Sequence, residues 1–417
     1  MPGRFERSGP SAMHDLGGIW DFALLGEADA DTVDVSAIDF DDRMPVPGCF
    51  DATPKYAGRR GLAAYRTHLE ATGGFCRIVL DGVHHWCRVY VNGRAVGEHA
   101  GGFTRFWMDF EVGSIDEPCE LVVLVDNRFD SRRSPLHLDY YDWYHYGGIT
   151  HGAWVRTLGR EWINAVRIVT EDFAARRIAV SIDYGCASPG SRALSIEIDG
   201  DSVVEEEAVD LEATGGRIER TVELPGAALW SPDSPALHTM RVRLGGEEFR
   251  ERFGIRQVRV EGRQILINGR PVRLLGFNRH ESHPNFGHAL PGQLLVTDVQ
   301  LLKDMNCNFV RGSHYPQDGR FLDLCDEAGI CVWSEAHGWG NTAEHLTAEN
   351  FLAAQRENIR EMVSAACNHP SVILWGILNE AHSHDAACRP VFEELLGLLR
   401  ELDPTRPVTF ACNHWHD

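Results

Sequence analysis

No stretch of this sequence approaches the roughly 18 consecutive apolar residues that a membrane-spanning helix needs, so none is expected. The leading residues, MPGRFERSGPSAMHD, contain no apolar h-region, so no secretory signal is expected there. The first dozen residues read as disordered, with Met13 as an alternative start. Positive charge is short: Lys and Arg total 40 against 61 Asp and Glu, a formal net charge of −21. Each phosphate contact wants a Lys or Arg, so nucleic acid and anionic membrane are not expected as partners. The eleven cysteines include no CxxC pair and no zinc-finger spacing. Odd in number and scattered, they read as reduced, mostly buried thiols of a cytoplasmic protein.

What is present suffices for packed cores. Hydrophobic residues make up 43% of the 417, a length that suggests about two to four domains. Eleven Trp and 19 Phe are generous; most are expected in cores, and aromatic faces also suit sugar platforms.

From Leu16 to Gly159 the pattern is all-β. Cys76–Gly82 and Cys87–His99 alternate apolar and polar residues at period two, and Asn92-Gly93 between two such runs predicts a type I′ hairpin turn. Glu120–Asn127 reads as another strand, and no helical pattern interrupts, so residues 1–159 predict a β-sandwich or jelly roll. Residues 160–256 repeat short alternating strands (INAVRIVT, RIAVSIDYG, RALSIEIDG, RIERTVELPG, TMRVRLGG) at the spacing and size of an immunoglobulin-like sandwich. The inter-sheet disulfide and its Trp are not evident, so that reading rests on pattern alone.

After Arg256 strands alternate with helices: RPVRLLGFNRH, LLVTDVQLLKDMN, CNFVRGSHY, GRFLDLCDEAG, ICVWSEAHG, a helix over 350–368, SVILWGILNE, CRPVFEELLGLLRELD and PVTFACNHW. This implies parallel strands with right-handed crossovers. Polar residues recur at the strand ends: Asn278-Arg279-His280-Glu281, Ser313-His314-Tyr315, Glu335, Asn379-Glu380 and Asn413-His414. In a (β/α) barrel such residues converge at the C-terminal face. A complete (β/α)8 barrel takes about 250 residues. Residues 257–417 supply about five strands, so they predict the first part of a TIM barrel that is unfinished at Asp417. An open doubly wound sheet would carry a glycine-rich phosphate loop after its first strand, and GFNRHESHP is not one.

Glu380 can act as a general acid, giving a proton to a leaving glycosidic oxygen. Asn379 offers a donor and an acceptor to a sugar 2-hydroxyl. In isolation the same pair also reads as a helix N-cap with an acidic first turn. His314 and His280 belong to the same rim, where an imidazole can bind sugar hydroxyls or serve a structural hydrogen bond. Glu335 can be a second carboxylate or an orienting residue.

Taken in order, VYVNGRAVGEHAGGFTRF (Val89–Phe106), DWYHYGGI (Asp142–Ile149), LWSPDSPALH (Leu229–His238), FGIR (Phe253–Arg256), INGRPVRLLGFNRHESHP (Ile267–Pro284), NFVRGSHYPQD (Asn308–Asp318) and WGILNE (Trp375–Glu380) resemble glycoside hydrolase family 2. This is the group of β-galactosidases, β-glucuronidases and β-mannosidases. The resemblance spans nearly the whole chain. It implies a jelly-roll sugar-binding domain, an immunoglobulin-like domain and a TIM-barrel catalytic domain. DWYHYGGI looks closer to the β-glucuronidase branch. Carried over by position, the resemblance implies Glu380 as acid/base, Asn379 on the 2-hydroxyl, His314 and Asp142 on the glycone, and His280 at the rim. Family members are retaining enzymes that need a second Glu as nucleophile, on the seventh barrel strand. That strand is expected outside this chain, as is an Asn-x-Lys carboxylate clamp. No magnesium site is carried over to SEAHGWGN (Ser334–Asn341), so neither metal nor cofactor is expected.

The expected partner is a β-glycoside small molecule or oligosaccharide; the oligomeric state stays open, a homo-oligomer included. Two other readings compete. One is a non-catalytic carbohydrate-binding or scaffold protein derived from the same family. The other is a metal-dependent hydrolase built on HSHD (His382–Asp385) and HWHD (His414–Asp417), whose alternating histidines could bind zinc.

Overall fold

Strand Cys119–Asp126 lies at the centre of the first unit, and its sequence explains why. Leu121, Val123 and Val125 face one core while Val122 and Leu124 face another, and all five are 0–1% exposed. A strand buried on both faces carries an unbroken apolar run, here LVVLV. It pairs antiparallel with Leu62–Leu69 on one side and Trp86–Val91 on the other. The sheet has six strands, with Asp42–Val46, Gly18–Gly26 and Arg94–Ala100 completing it. A second sheet of four strands (Phe106–Val112, Gly74–Leu80, Ala153–Thr157 and His14–Asp15) closes over it. Phe22, Tyr65 and Val89 pack there against Ile78, Leu80 and Phe110. Asn92 and Gly93 have φ of 48° and 74°, the two positive values that a type I′ turn requires.

The computed structural model describes residues 9–10, 13–69, 74–113, 119–130, 138 and 140–414. Residues 1–8 and 11–12, within the segment read as disordered, and His416 of HWHD lie outside the described residues. The disordered reading fails at Gly9–Pro10, which pair with Phe249 and Arg250 and cover the outer edge of strand Glu247–Phe253. An unpaired sheet edge accepts any passing backbone, a contact that side-chain pattern does not reveal.

The second unit sets a five-stranded sheet against a three-stranded one made of Glu161–Asp172, Arg177–Cys186 and Gly216–Glu223. Ile182, Ile196, Met240 and Val242 fill its core, each 0% exposed. Strand Asp201–Leu211 has no counterpart among the predicted strands. It is an edge strand whose centre, Glu205–Ala208, is exposed, so only its ends carry the apolar signal.

RPVRLLGFNRH, expected to be one strand, is two. Arg270–Val272 closes a three-stranded antiparallel meander with Val258–Glu261 and Gln264–Ile267, and the parallel sheet begins only at Gly276. The reason is local: Asn268 and Gly269 both have positive φ and turn the chain back antiparallel.

The parallel sheet runs β1 (Gly276–Arg279), β2 (Phe309–Gly312), β3 (Cys331–Glu335), β4 (Val372–Asn379) and β5 (Val408–Ala411), in sequence order. The crossovers carry helices α1 (Gly292–Asp304), α2 (Gly319–Ala328), α3 (Ala343–Leu346), α4 (Glu349–Ala366) and α5 (Arg389–Leu402). Helix boundaries follow the residues at their ends. Asp318 caps α2 by accepting from the Arg320 N–H, and Gly329 ends it at φ 70°. All eight residues of β4 are buried. Among the described residues β1 and β5 each pair on one side only, so the sheet stays open, and Phe277 of β1 is 55% exposed. Among the described residues no helix is long and apolar enough to cross a membrane.

Candidate active site

Five parallel strands bring their C-terminal ends to one mouth, and β4 delivers its last residues there through a bulge. The β4–β5 register shifts between Ile377 and Asn379, leaving Leu378 at φ 45° and Glu380 at φ 51°. Left-handed backbone at non-glycine residues costs about 1–3 kcal/mol each and persists where surrounding bonds enforce it. Those bonds are present. Asn379 N–H donates to the Gly338 carbonyl (2.8 Å), Gly340 N–H donates to the Asn379 carbonyl (2.8 Å), and Glu380 N–H donates to the Ala411 carbonyl (3.0 Å). In a regular strand neighbouring side chains point to opposite faces; a bulge with left-handed residues on either side of Asn379 breaks that alternation at the end of β4.

Arg311 of β2 organises the floor. It is 9% exposed, and its Nη2 donates to Glu335 Oε2 (2.8 Å), Glu335 Oε1 (2.9 Å) and Asn379 Oδ1 (2.8 Å). A guanidinium cannot accept, so the Asn379 oxygen must face it and the amide NH2 is left to donate elsewhere. Its guanidinium lies 4.4 Å over the Trp333 ring. A Cβ on Gly376 would meet Trp333 Nε1 at 2.0 Å, so the glycine of WGILNE makes room for that indole.

Glu335, at the end of β3, is 0% exposed and fully engaged with Arg311 and His314. His314 Nδ1 lies 3.0 Å from Glu335 Oε1 and 3.3 Å from Arg311 Nη2. The carboxylate is the shorter and chemically matched partner, so Nδ1–H donates to Glu335 and Nε2 is the ring's acceptor.

Glu380 is the contrast. It is exposed, and among the described residues its carboxylate makes no hydrogen bond or ion pair. His280 is solvent-accessible, and Tyr315 OH sits 3.3 Å from its Nδ1. Desolvation by the surrounding wall, then the neighbouring His314 ring and the Arg311 guanidinium, push its pKa down to about 4, against the opposing pull of Asp142. His280 is therefore neutral at pH 7. Asp142 is exposed on the loop from the first unit, close enough for its charge to be felt at His280.

The same loop inserts Trp143, whose ring centre lies 5.1 Å from His280, 5.4 Å from His314 and 5.8 Å from Trp339. An indole between two imidazoles and a second indole makes an apolar wall with polar tips, a surface suited to a sugar ring. The structure thus brings Asn379, His314, Glu335 and His280 together at one end of the sheet, with Asp142 reaching in from the first unit. It adds Arg311, Trp143 and Trp339.

Two other groups offer metal-ligand geometry: His151 with Glu281 and Asp318, and His369 with Asp323 and Asp326. Both already hold internal partners. Arg279 donates to Glu281 (2.9 Å) and Arg320 pairs with Asp318; Arg252 pairs with Asp323 (2.7 Å) and the Ser371 N–H donates to Asp326 (2.9 Å). Desolvation raises the pKa of Glu281, but His151 and Arg279 outweigh it and hold the carboxyl down at about 2. HSHD and HWHD do meet, with the His384 and His414 rings 3.6 Å apart and His382 and His384 5.1 Å apart. Among the described residues they form no group of three converging ligands.

Behind the mouth, where the first unit meets the barrel, His84, His85, His145 and His288 are all at most 1% exposed, with ring centres 4.8–5.0 Å apart along the chain His288–His84–His85–His145. Burial first, then mutual repulsion, depresses His84, His85 and His145 well below the ordinary value. Burial takes His288 down to about 4. These histidines are neutral when folded and gain protons first when unfolded, so stability is full above pH 6.5 and is lost as pH falls toward 4. His288 alone accounts for about 3 kcal/mol. His151 and His369, raised by their carboxylate partners despite burial, work in the opposite direction but are fewer. The urea midpoint is expected to fall steeply between pH 7 and pH 5; an unchanged midpoint would mean that the cluster is hydrated and charged.

Comparison with known proteins identifies the family. The glycosyl hydrolases family 2 TIM-barrel domain matches residues 258–417, and glycosyl hydrolases family 2 matches residues 163–256. A β-galactosidase from Thermoanaerobacter pseudethanolicus is 32% identical over 371 residues, covering 84% of this chain and 48% of its own. The chain thus spans about half the length of that relative. The crystal structure of a family 2 β-galacturonidase from Eisenbergiella tayi, bound to galacturonate, superposes with a TM-score of 0.88 at 32% identity, over 99% of this chain and 73% of that one. A Bifidobacterium dentium β-glucuronidase complexed with coumarin-3-O-glucuronide gives 0.84 at 26% identity, over 99% and 75%. The chain belongs to glycoside hydrolase family 2.

Proposed function

We propose that this chain carries the acid/base half of a retaining β-glycosidase acting on terminal β-glycosides, with β-uronides ahead of β-galactosides. The observation that carries this reading is the contrast at the mouth: Glu335 is buried and ion-paired, while Glu380 is exposed and unpaired beside an amide that Arg311 orients. A carboxyl that must give and retake a proton needs access to substrate and water, which Glu380 has. Glu380 protonates the leaving oxygen, then deprotonates the water that releases the sugar. Asn379 donates its NH2 to the 2-hydroxyl, a contact that strengthens in the oxocarbenium-like transition state. His314, Asp142 and His280 bind the glycone, with Trp143 as its platform.

A retaining mechanism needs a second carboxylate about 5–5.5 Å from the first. Of the other strand-end carboxylates, Glu335 is an orienting residue held by Arg311, and Glu281 is held by Arg279 and His151. The nucleophile is therefore assigned to a later barrel strand, outside the five described. The first unit is read as a jelly-roll sugar-binding domain (residues 1–159) and the second as an immunoglobulin-like domain (160–256), leaving 257–417 to the barrel. Eleven cysteines, none of them disulfide-bonded, support a cytoplasmic setting.

The preference for uronides rests on DWYHYGGI and on solved relatives bound to galacturonate and a coumarin glucuronide. The test is a panel of 4-nitrophenyl β-glucuronide, β-galacturonide, β-galactoside and β-mannoside, assayed with the chain alone and with a form carrying the remaining barrel strands. The completed form is expected to hydrolyse a uronide fastest and the chain alone none. Clear turnover by the chain alone, abolished by Glu380→Gln, would contradict the assignment of the nucleophile to a later strand.

A further inference from the structure

At the opposite end of β4 from the mouth lies a cavity of about 20 Å³. It sits where the second β unit meets the barrel, and its walls include Arg167, Thr170, Arg256, Asn368, Thr405 and Arg406. Arg167 and Thr170 belong to strand Glu161–Asp172, Arg256 to the segment leading into the barrel, and the rest to the turns before β4 and β5.

The charge there does not balance. Arg406 is buried and pairs with Asp403, which also lies 3.8 Å from Arg167 Nη2. Asp403 further accepts from the Trp375 indole (2.9 Å) and from the Thr405 hydroxyl (2.6 Å). Arg256, 6% exposed, has no carboxylate within ion-pair distance among the described residues. Its Nε donates to the Pro370 carbonyl (3.1 Å) and its Nη2 to the Val372 carbonyl (3.0 Å). Three of its five N–H bonds therefore have no protein acceptor among the described residues. Three guanidiniums thus line the cavity and, among the described residues, no carboxylate does; Asp403 and Asp326 act on Arg256 only from beyond ion-pair distance.

An uncompensated buried charge is costly, and most side chains escape by neutralising themselves. Burial, followed by repulsion from Arg406, does pull the Arg256 pKa down, to about 9. That still leaves it charged at pH 7, so the remaining route is a counter-ion. A void of about 10–15 Å³ is enough for one water-sized occupant. This cavity therefore has room for a single small particle.

We propose that this cavity binds one monatomic anion, chloride in ordinary solution, held by the free N–H groups of Arg256 with Arg167 and Arg406 completing the positive wall. The anion joins the second β unit to the base of the parallel sheet. It lies a full strand length from Glu380, so its role is stability and not turnover.

The test uses the whole 417-residue chain, unfolded thermally in sodium chloride and in sodium gluconate at equal ionic strength, where general screening is the same. Tm is expected to rise saturably with chloride, by about 2 °C or more. Arg167→Gln, at the partly exposed rim, is expected to leave the fold intact and move the chloride midpoint several-fold higher. Arg256→Met is expected to abolish the dependence. Should Arg256→Met fail to fold, crystals of the unaltered protein soaked in bromide give an independent readout, an anomalous peak beside Arg256. Identical Tm curves in the two salts, or a bromide soak without a peak in the cavity, would overturn the proposal and leave water as the occupant.

Discussion

Arg311→Met is expected to destabilise the barrel by about 3–5 kcal/mol, the usual cost of removing one partner from a buried ion pair. Its counter-charge, Glu335, is 0% exposed and, among the described residues, has Arg311 and His314 as its only side-chain partners. Without the guanidinium, Glu335 must take up a proton or be buried unpaired, and Asn379 loses the donor that fixes its amide. The double variant Arg311→Met/Glu335→Leu removes both charges and is expected to recover most of the loss, because an apolar replacement of a buried pair is often close to neutral. Urea denaturation of the four members of this cycle reads the coupling directly. If the double variant were no more stable than Arg311→Met alone, Arg311 would matter for its packing on Trp333 and not for its charge. In a completed enzyme the double variant is expected to stay inactive despite its recovered stability, since neither the amide of Asn379 nor the ring of His314 would be oriented.

The second large effect is on chemistry. In a form carrying the remaining barrel strands, Glu380→Gln is expected to lower kcat/KM by about 10²- to 10⁴-fold on alkyl β-glycosides, whose leaving oxygen needs a proton. The loss should shrink for aryl glycosides with acidic aglycones, which depart without protonation. A uniform loss across leaving groups would point to a role in binding instead.

How far these assignments could be read from residues alone varies along the chain for physical reasons. Strand–helix alternation after Arg256 and polar residues at each apolar strand's end are short-range signals, and they pointed to the strand ends where Asn379, His314, Glu335 and His280 meet. Asp142 was reachable only through the resemblance of DWYHYGGI, because nothing local indicates that a loop of the first unit enters the barrel. Trp143 sits beside it in the quoted motif yet carries no signal of its own, since an indole is as much a core residue as a sugar platform. Arg311 was passed over for the opposite reason. An arginine inside a buried strand looks like an interruption, and only the three-dimensional meeting with Glu335 explains it. Glu335 stayed ambiguous between two roles because its freedom depends on that arginine, 24 residues away in the chain. The bulge at Leu378, just before Asn379 and Glu380, has no sequence marker: left-handed backbone at Leu is held by the bonds around it. The splitting of RPVRLLGFNRH and the acidic edge strand Asp201–Leu211 were missed because pairing across a sheet edge is a backbone property.

The measurement closest to the central claim is azide rescue of Glu380→Gln in the completed form. Once the sugar is on the nucleophile, water needs a base to attack it, whereas azide, already anionic, does not. Azide is expected to restore turnover of an activated aryl glycoside and to yield the β-glycosyl azide. Absence of rescue would remove Glu380 from the acid/base role, and an α-glycosyl azide would make it the nucleophile.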